Sequence, residues 1–416
     1  MTDTTQQTSV PAPVLLDPSA PAQHGLKAHS HGGGPGVPEQ SRAERRRSFQ
    51  VADFPMPTGR EEEWRFTPMD LLRGVLEERP SQDGAATWAV QAPAEVSVAN
   101  LEPGQSPRGR ALVPADRAAV IASAGTPESL YVKVPAEAEL HEPIRVALTG
   151  AADLRSNGHT VIEAGRFSKA TVVIDHIGSG QHTGNVEIVV GDGAELTVVS
   201  LQRWDDDAIH LGQHDARVGR DARFKHVAVS LGGKVVRINA NVEFAGPGGD
   251  AKLFGIYFAD AGQHLEHRSF VDHSAPHCSS HVTYKGALQG EGAHTVWVGD
   301  VLIRASAQGT DTYELNRNLV LTDGARADSV PNLEIETGEI TGAGHASATG
   351  RFDDEQLFYL QARGITEAEA RRLVVRGFFA DILAQIGVPD IQQLLKDALE
   401  TELEGSMPHA PAQVSG

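Results

Sequence analysis

Gly191-Asp-Gly-Ala-Glu-Leu-Thr-Val198 is followed by Gly219-Arg-Asp-Ala-Arg-Phe-Lys-His-Val227 and then by Gly248-Gly-Asp-Ala-Lys-Leu-Phe254. Each piece is a glycine turn, an alanine and a strand-like run. The alanines, Ala194, Ala222 and Ala251, recur at nearly equal intervals. Repeats of this length suit the stacked coils of a β-solenoid, in which each coil buries its inner face against the next. A β-sandwich with long hairpins uses the same ingredients, so the repeat alone leaves both architectures open.

Around the repeat, from about residue 129 to 340, short β-branched runs alternate with Gly-rich turns: 171–174, 186–190, 196–199, 224–229 and 235–238. No helix-length amphipathic segment separates them, which excludes a βαβ architecture and predicts a mainly β body. Upstream, helical pieces are expected over 42–50 and 69–78, ahead of a Pro- and Gly-punctuated stretch. Downstream of Gly350 the period becomes helical. Thr366 with Glu369 forms a capping box after Gly364, opening a helix over 367–386. Leu373, Val374, Phe378, Ile382 and Ile386 are read as its apolar stripe. A last helix is expected over 391–402. The resulting organisation is a tail (1–40), an N-terminal helical or irregular domain (41–128), a β core (129–345), a C-terminal helical domain (346–404) and a flexible end (405–416). The first tail is too poor in apolar residues to fold; it carries His24, His29 and His31 as weak metal ligands at most.

Composition narrows the function classes. Of 416 residues, 36 are Lys or Arg and 55 are Asp or Glu, a formal charge of −19, which disfavours a nucleic-acid partner. The single cysteine, Cys278, cannot form an internal disulfide and suits a reducing compartment. It also excludes a four-cysteine cluster site built from this chain alone. No apolar run approaches the ~20 residues of a membrane helix, and the N-terminus lacks a signal-peptide pattern. A cytoplasmic protein with no membrane partner is expected. Gly232-Gly233-Lys234 lacks the spacing of a phosphate loop, and no Gly-x-Ser-x-Gly elbow occurs, so the chain is not read as an enzyme.

Two groups of residues are candidates for chemistry. Between 264 and 281 lie five imidazoles (His264, His267, His273, His277, His281), the thiol of Cys278 and two carboxylates, potential ligands for Fe or Zn. Strand alternation would turn neighbours such as His277 and Cys278 apart, so this group is read mainly as a solvated β face. The second group surrounds His345, in Gly342-Ala-Gly-His-Ala-Ser-Ala-Thr-Gly350, read as a small-residue loop that leaves the imidazole uncrowded; Glu334 and Glu336 precede it on one strand face.

Several segments together resemble the SufB/SufD family of iron–sulfur cluster assembly proteins. They are Glu62-Glu-Trp-Arg-Phe-Thr67, Tyr284-Lys285, Gly299 with Ala307-Gln308, Pro331-Asn-Leu-Glu-Ile335, Gly344-His-Ala-Ser-Ala-Thr-Gly350, Asp354-Glu-Gln-Leu-Phe-Tyr-Leu360 and Arg363-Gly-Ile365. The resemblance implies a right-handed parallel β-helix core between N-terminal and C-terminal helical domains. It also implies a SufBCD-type complex, in which a SufB-type subunit pairs through the β core and a SufC-type ATPase binds the C-terminal helices. Ala327 stands before Asp328-Ser329 where SufB-type chains have a Cys, and His345-Ala-Ser-Ala-Thr replaces their His-Glu-Ala-Thr-Thr, so the chain looks like a SufD-type scaffold subunit. His345 is then the implied iron or cluster residue. Ala343 occupies a position where some SufD proteins have Cys. No permanently bound cofactor is expected, only a transient iron or iron–sulfur cluster at the subunit interface. Glu369, Arg372 and Arg376, opposite the apolar stripe, are candidate contacts for the ATPase. The competing expectation is a metal-dependent β-helix enzyme, for example a carbohydrate lyase, working through the 264–281 histidines.

Overall fold

The computed structural model describes residues 45–352 and 354–405. The tail with His24, His29 and His31, and the chain beyond residue 405, lie outside the described residues. Strands alternate between two nine-stranded sheets. The first runs β1 (Ala86–Gln91), β4 (Ile144–Gly150), β6 (Lys169–Gly178), β8 (Glu195–Trp204), β10 (Arg223–Ser230), β12 (Asp250–Ala259), β14 (Ser279–Leu288), β16 (Asp311–Val320) and β18 (Gly342–Arg351). The second runs β2 (Ser97–Leu101), β3 (Ser129–Val134), β5 (Arg155–Ala164), β7 (Gln181–Val190), β9 (Ile209–Val218), β11 (Val235–Phe244), β13 (His264–His273), β15 (His294–Ile303) and β17 (Arg326–Ile335). β1 on β4 and β2 on β3 pair antiparallel; the later pairings are parallel. The protein is a parallel β-solenoid of about eight turns, with helices toward its ends.

Alternation explains the core. On β7 and β8, Val186, Ile188, Val190, Leu196 and Val198 point inward, and with their counterparts in neighbouring coils they fill the space between the sheets. Ala194 and Ala222 are fully buried at equivalent corners, because Glu195 pairs with Arg223 one coil later. Ala251 departs from the apparent repeat: it pairs with Phe224, since the coil from Arg223 to Asp250 is slightly shorter than its predecessor. Coil length is not constant: 26 residues separate the paired Asn157 and Thr183, and 32 separate the paired Ser280 and Thr312. At the turn, Gly193 has φ of 67°, and a Cβ there would sit 2.4 Å from the Phe167 ring.

A sheet buried on one face still presents an apolar outer face that needs cover. Along the first sheet, Val199, Val227, Val229, Ile256 and Phe258 pack outward against α4 (Glu367–Gln385) and α5 (Pro389–Gly405), which follow α3 (Asp354–Ala362). Lys285 on β14 fixes this docking through Asp381 at 2.7 Å and the Phe378 carbonyl at 2.9 Å. Thr366 caps α4 as expected, accepting from the Glu369 N–H at 3.3 Å. The stripe itself is shifted. Val375, Phe379, Ile382 and Ile386 are buried, whereas Leu373 is 40% exposed. Its two dense apolar pairs, Leu373-Val374 and Phe378-Phe379, admit two helical phases, and docking on the sheet selects the later one.

The outer face of the second sheet is covered by the N-terminal segment. The helix expected over 42–50 is absent from its described part: residues 45–50 are irregular, and Arg45 instead reaches Asp300 at 2.6 Å and lies over the Phe270 ring. The piece expected over 69–78 is helical only in α1 (Met69–Leu72), then turns so that Leu72, Val75 and Leu76 all become buried against Ile209, Leu211 and Val235. The Pro- and Gly-punctuated stretch contributes β1, β2 and α2 (Arg117–Ala124).

Arg237 holds this cover in place. Its side chain, 2% exposed, donates to Asp116 at 2.6 Å and Glu266 at 3.2 Å and lies over the Trp64 ring at 4.1 Å. Thr67 donates to Glu266 at 2.7 Å, and the Glu63 carbonyl accepts from Arg237 and Arg268. The Glu-Trp-Arg-Phe-Thr signature is therefore a clasp. Burial alone would raise the Glu266 carboxyl, but its His264 hydrogen bond and the Arg237 and Arg268 charges outweigh that and hold it well below the usual carboxylate range. Arg237→Met leaves buried Asp116 without its cation and Glu266 with Arg268 alone, and chemical denaturation is expected to show a loss of about 3–5 kcal/mol. Thr67→Val, which removes one hydrogen bond, is expected to cost only about 1–2 kcal/mol. Equal costs for the two would show that the clasp is not centred on Arg237.

Candidate functional site

The solenoid ends in an open coil made of β17 and β18, the terminal strands of the two sheets. Each is ten residues long. One edge of each carries backbone N–H and C=O groups with no further strand, among the described residues, to pair them. His345, expected in a loop, lies on β18, in register with Glu314 on β16. The small residues beside it are what strand pairing demands. A Cβ on Gly344 would stand 3.3 Å from the Tyr313 ring of the next strand, and Ala343 packs against the core edge.

Register puts His345 above the inward row of β16, with Ser347 over Asn316 and Thr349 over Asn318. Asn318 donates to Thr349 at 3.4 Å, which confirms that this row of β18 faces inward. At the end of the stack His345 is exposed, while Glu314 one layer below is buried. Among the described residues, neither carboxyl oxygen of Glu314 has a hydrogen-bond partner, nor does the buried indole N–H of Trp297 nearby on β15. Both approach Gly299: a Cβ there would be 2.8 Å from Glu314 Oε1 and 2.3 Å from the Trp297 ring. Burial, reinforced by the Asp300 charge, pushes Glu314 up to about 9, so it is a neutral acid at pH 7. The terminal coil thus offers an exposed imidazole over a protonated carboxyl. Ala327 lies on β17 of the same coil, paired with Thr295.

The 264–281 residues are neither one site nor a solvated face. His264, His267 and His273 are buried, and His277 and His281 are exposed. Alternation sends His264 outward to Glu266 and His294, at 3.2 and 3.1 Å. His267 and His273 turn inward to Ser230 and Ser280, at 3.0 and 2.9 Å. Burial lowers both to about 3. His277 occupies a turn, and His281 lies on β14 in the other sheet. Cys278 is buried, its thiol raised by that burial. These side chains cannot converge on one ion.

Other histidines do converge, and sequence reasoning passed over them. His176 on β6, His182 on β7 and His210 on β9 bring one ring nitrogen each within 4.8 Å of the others, all buried. His182 and His210 are adjacent only because one whole coil separates them, so that they pair in register. That separation equals the one between Ala194 and Ala222, so the repeat itself was the available signal.

A two-sheet parallel β-solenoid with an exposed imidazole on its open terminal coil places the chain among the β-solenoid proteins. The family model described as SUF system FeS cluster assembly, SufBD core domain, matches residues 147–378. An iron–sulfur cluster assembly SufBD family protein of Mycobacterium bovis is 54% identical over 364 residues, 86% of this chain and 92% of the relative. One from Mycobacterium leprae is 52% identical over 363 residues, 86% and 93% of the two chains. A second Mycobacterium bovis protein of that description is 28% identical over 226 residues, 54% of this chain and 26% of its own. This chain belongs to the SufBD family of iron–sulfur cluster assembly proteins.

Glu314 makes the coil pH-sensitive. Its folded-state value lies above the ordinary 4.5, so its neutral form is fully stabilising below pH 4.5 and that stability is lost as pH rises toward about 9. Glu314→Gln keeps the shape and removes the titration. Melting profiles are expected to show a Tm advantage for the variant that is small at pH 5 and grows steadily to pH 9; a pH-independent difference would contradict a buried neutral acid.

Proposed function

We propose that this SufBD protein is the SufD-type scaffold subunit of a SufBCD-type complex, without ATPase activity of its own. The observation that carries the reading is the placement of His345 on a ten-residue edge strand that pairs with β16 on one side and, among the described residues, with no strand on the other. A second solenoid that extends the two sheets across this end would satisfy the edges of β17 and β18 together. It would also cover His345, so that iron or a nascent cluster, as cargo, is held between subunits. The occurrence in Mycobacterium bovis of two unlike SufBD proteins, 54% and 28% identical to this chain, favours a SufB-type paralog as the second solenoid. Ala327 on the same coil supports the assignment, because the thiol of SufB-type chains would have to come from the partner.

The SufC-type ATPase is assigned to the C-terminal helices. α3 exposes Phe358 (73%) and Tyr359 (56%), and α4 exposes Leu373, large apolar groups of the kind that mark a protein interface. Glu369, Arg372 and Arg376 lie alongside as a network: Arg372 pairs with Glu369 at 3.7 Å, and Arg376 with Glu369 and Glu400. Removing the helices outright would strip the first sheet of its cover, so point substitutions are the cleaner probe. The lyase alternative has no support from geometry, since the 264–281 histidines face different ways.

His345→Ala is expected to leave the three-subunit complex assembled and its ATPase active, while iron and sulfide per complex fall severalfold after reconstitution. Normal loading would make this subunit a brace, and loss of assembly would make His345 a packing residue. Phe358→Ala with Tyr359→Ala is expected to weaken ATPase capture at least tenfold in a pull-down without lowering Tm or disturbing SufB-type pairing. Undiminished capture would move the docking site elsewhere.

A further inference from the structure

The SufD-type reading leaves one chemically capable cluster unused, the buried histidines at the other end of the solenoid. His176, His182 and His210 surround a small cavity also lined by Trp88, Gly184 and His214. All three make their hydrogen bonds through Nδ1. His176 donates to the Leu201 carbonyl at 3.0 Å, which fixes its tautomer, and His182 meets Ser156 Oγ at 2.8 Å. His210 Nδ1 lies 2.8 Å from Gln202 Oε1 and 3.1 Å from Trp204 Nε1. One nitrogen cannot serve both partners. The Gln202 bond is favoured because the amide's NH₂ is committed to Ser200 at 2.8 Å, leaving its oxygen for an Nδ1–H.

With Nδ1 so engaged, His176 and His210 keep their Nε2 lone pairs for the cavity, and His182 also turns its Nε2 toward it. A ladder of glycines, Gly158, Gly184 and Gly212 in register on β5, β7 and β9, keeps that space open. A Cβ on Gly184 would come 2.6 Å from His182 Nε2 and 3.3 Å from His210 Nε2. Two imidazole nitrogens therefore converge where a side chain is lacking, and His176, whose ring centre is 4.8 Å from that of His210, closes the third side. Backbone carbonyl, hydroxyl and amide partners on Nδ1 are what orient metal-bound imidazoles elsewhere.

We infer that His176, His182 and His210 form a binding site for one divalent transition-metal ion, Zn2+ or Fe2+, inside the solenoid. Three imidazoles suit these ions, and one water completes a tetrahedral shell. At His176 and His210 no proton has to leave, because the Nδ1–H tautomer already presents the Nε2 lone pair. Trp88, 39% exposed on β1 and with its ring 6.4 Å from that of His182, stands between the site and solvent. This site is separate from His345 and does not depend on the partner subunits.

Co2+ is the probe, used on the full chain carrying His24→Ala, His29→Ala and His31→Ala so that the tail contributes nothing. The expected result is one Co2+ per chain retained through desalting, with the ligand-field spectrum of a tetrahedral site. His182→Ala and Gly184→Ala are each expected to reduce retention at least tenfold. Independently of any core variant, X-ray absorption of the Zn2+-loaded chain is expected to show about three imidazoles at about 2.0–2.1 Å. Absence of retained Co2+, undiminished retention in folded His182→Ala or Gly184→Ala protein, or a zinc shell without three imidazoles would each overturn the proposal.

Discussion

Every side chain inside the solenoid faces its counterpart from the coil above and the coil below, and that stacking register is the constraint on which the rest of the protein depends. It rewards like with like. Apolar rows such as Val172 and Val198 on β6 and β8 stay dry, and buried polar groups occur where the adjacent coil supplies a partner. Asn157 accepts from Thr183 at 2.6 Å, and Ser280 meets Thr312 at 2.6 Å, in each case between residues paired across one coil. Laddering is thus one way a buried polar residue is satisfied, alongside bonds across to the other sheet such as His267 to Ser230.

The same rule explains where the candidate groups are found. A ladder must stop, and at β18 it stops with His345 having a layer beneath it and, among the described residues, none above. Glu314, one layer in, already lacks a partner for its carboxyl there and is neutral as a result. The candidate site at the terminal coil thus owes its exposed imidazole to interrupted stacking, whereas the cavity beside His176, His182 and His210 comes from a ladder with its side chains left out at Gly158, Gly184 and Gly212.

Outside the solenoid, each sheet uses a different cover for its apolar outer face. The first takes two helices, pinned by Lys285 to Asp381. The second takes α1, α2 and the irregular chain around them, and an irregular cover needs anchors where backbone cannot pair with itself. Arg237 provides them, joining Asp116, Glu266 and the Glu63 carbonyl around Trp64. An Arg is suited to this task because its planar fork serves several acceptors at once while its face stacks on the indole.

Much of this was written in the sequence. Alternation marked the strands, the interval between Ala194 and Ala222 was a true coil length, and Thr366 and Gly364 set the start of α4 where the structure has it. These are local signals, carried by φ/ψ preference and short periodicity. The family motif likewise singled out His345, but reading its Gly- and Ala-rich setting as a loop missed that small residues were making room for Tyr313 on a paired strand. What tertiary structure alone decided was which distant residues meet. The histidines crowded between 264 and 281 were dispersed by alternation over two faces and two sheets, and His176, His182 and His210 were gathered from three strands. The phase of α4 and the clasp around Arg237 were decided in the same way. Because the coils of this solenoid differ in length, the neighbour that matters lies a whole coil away, at a separation only the completed stack defines.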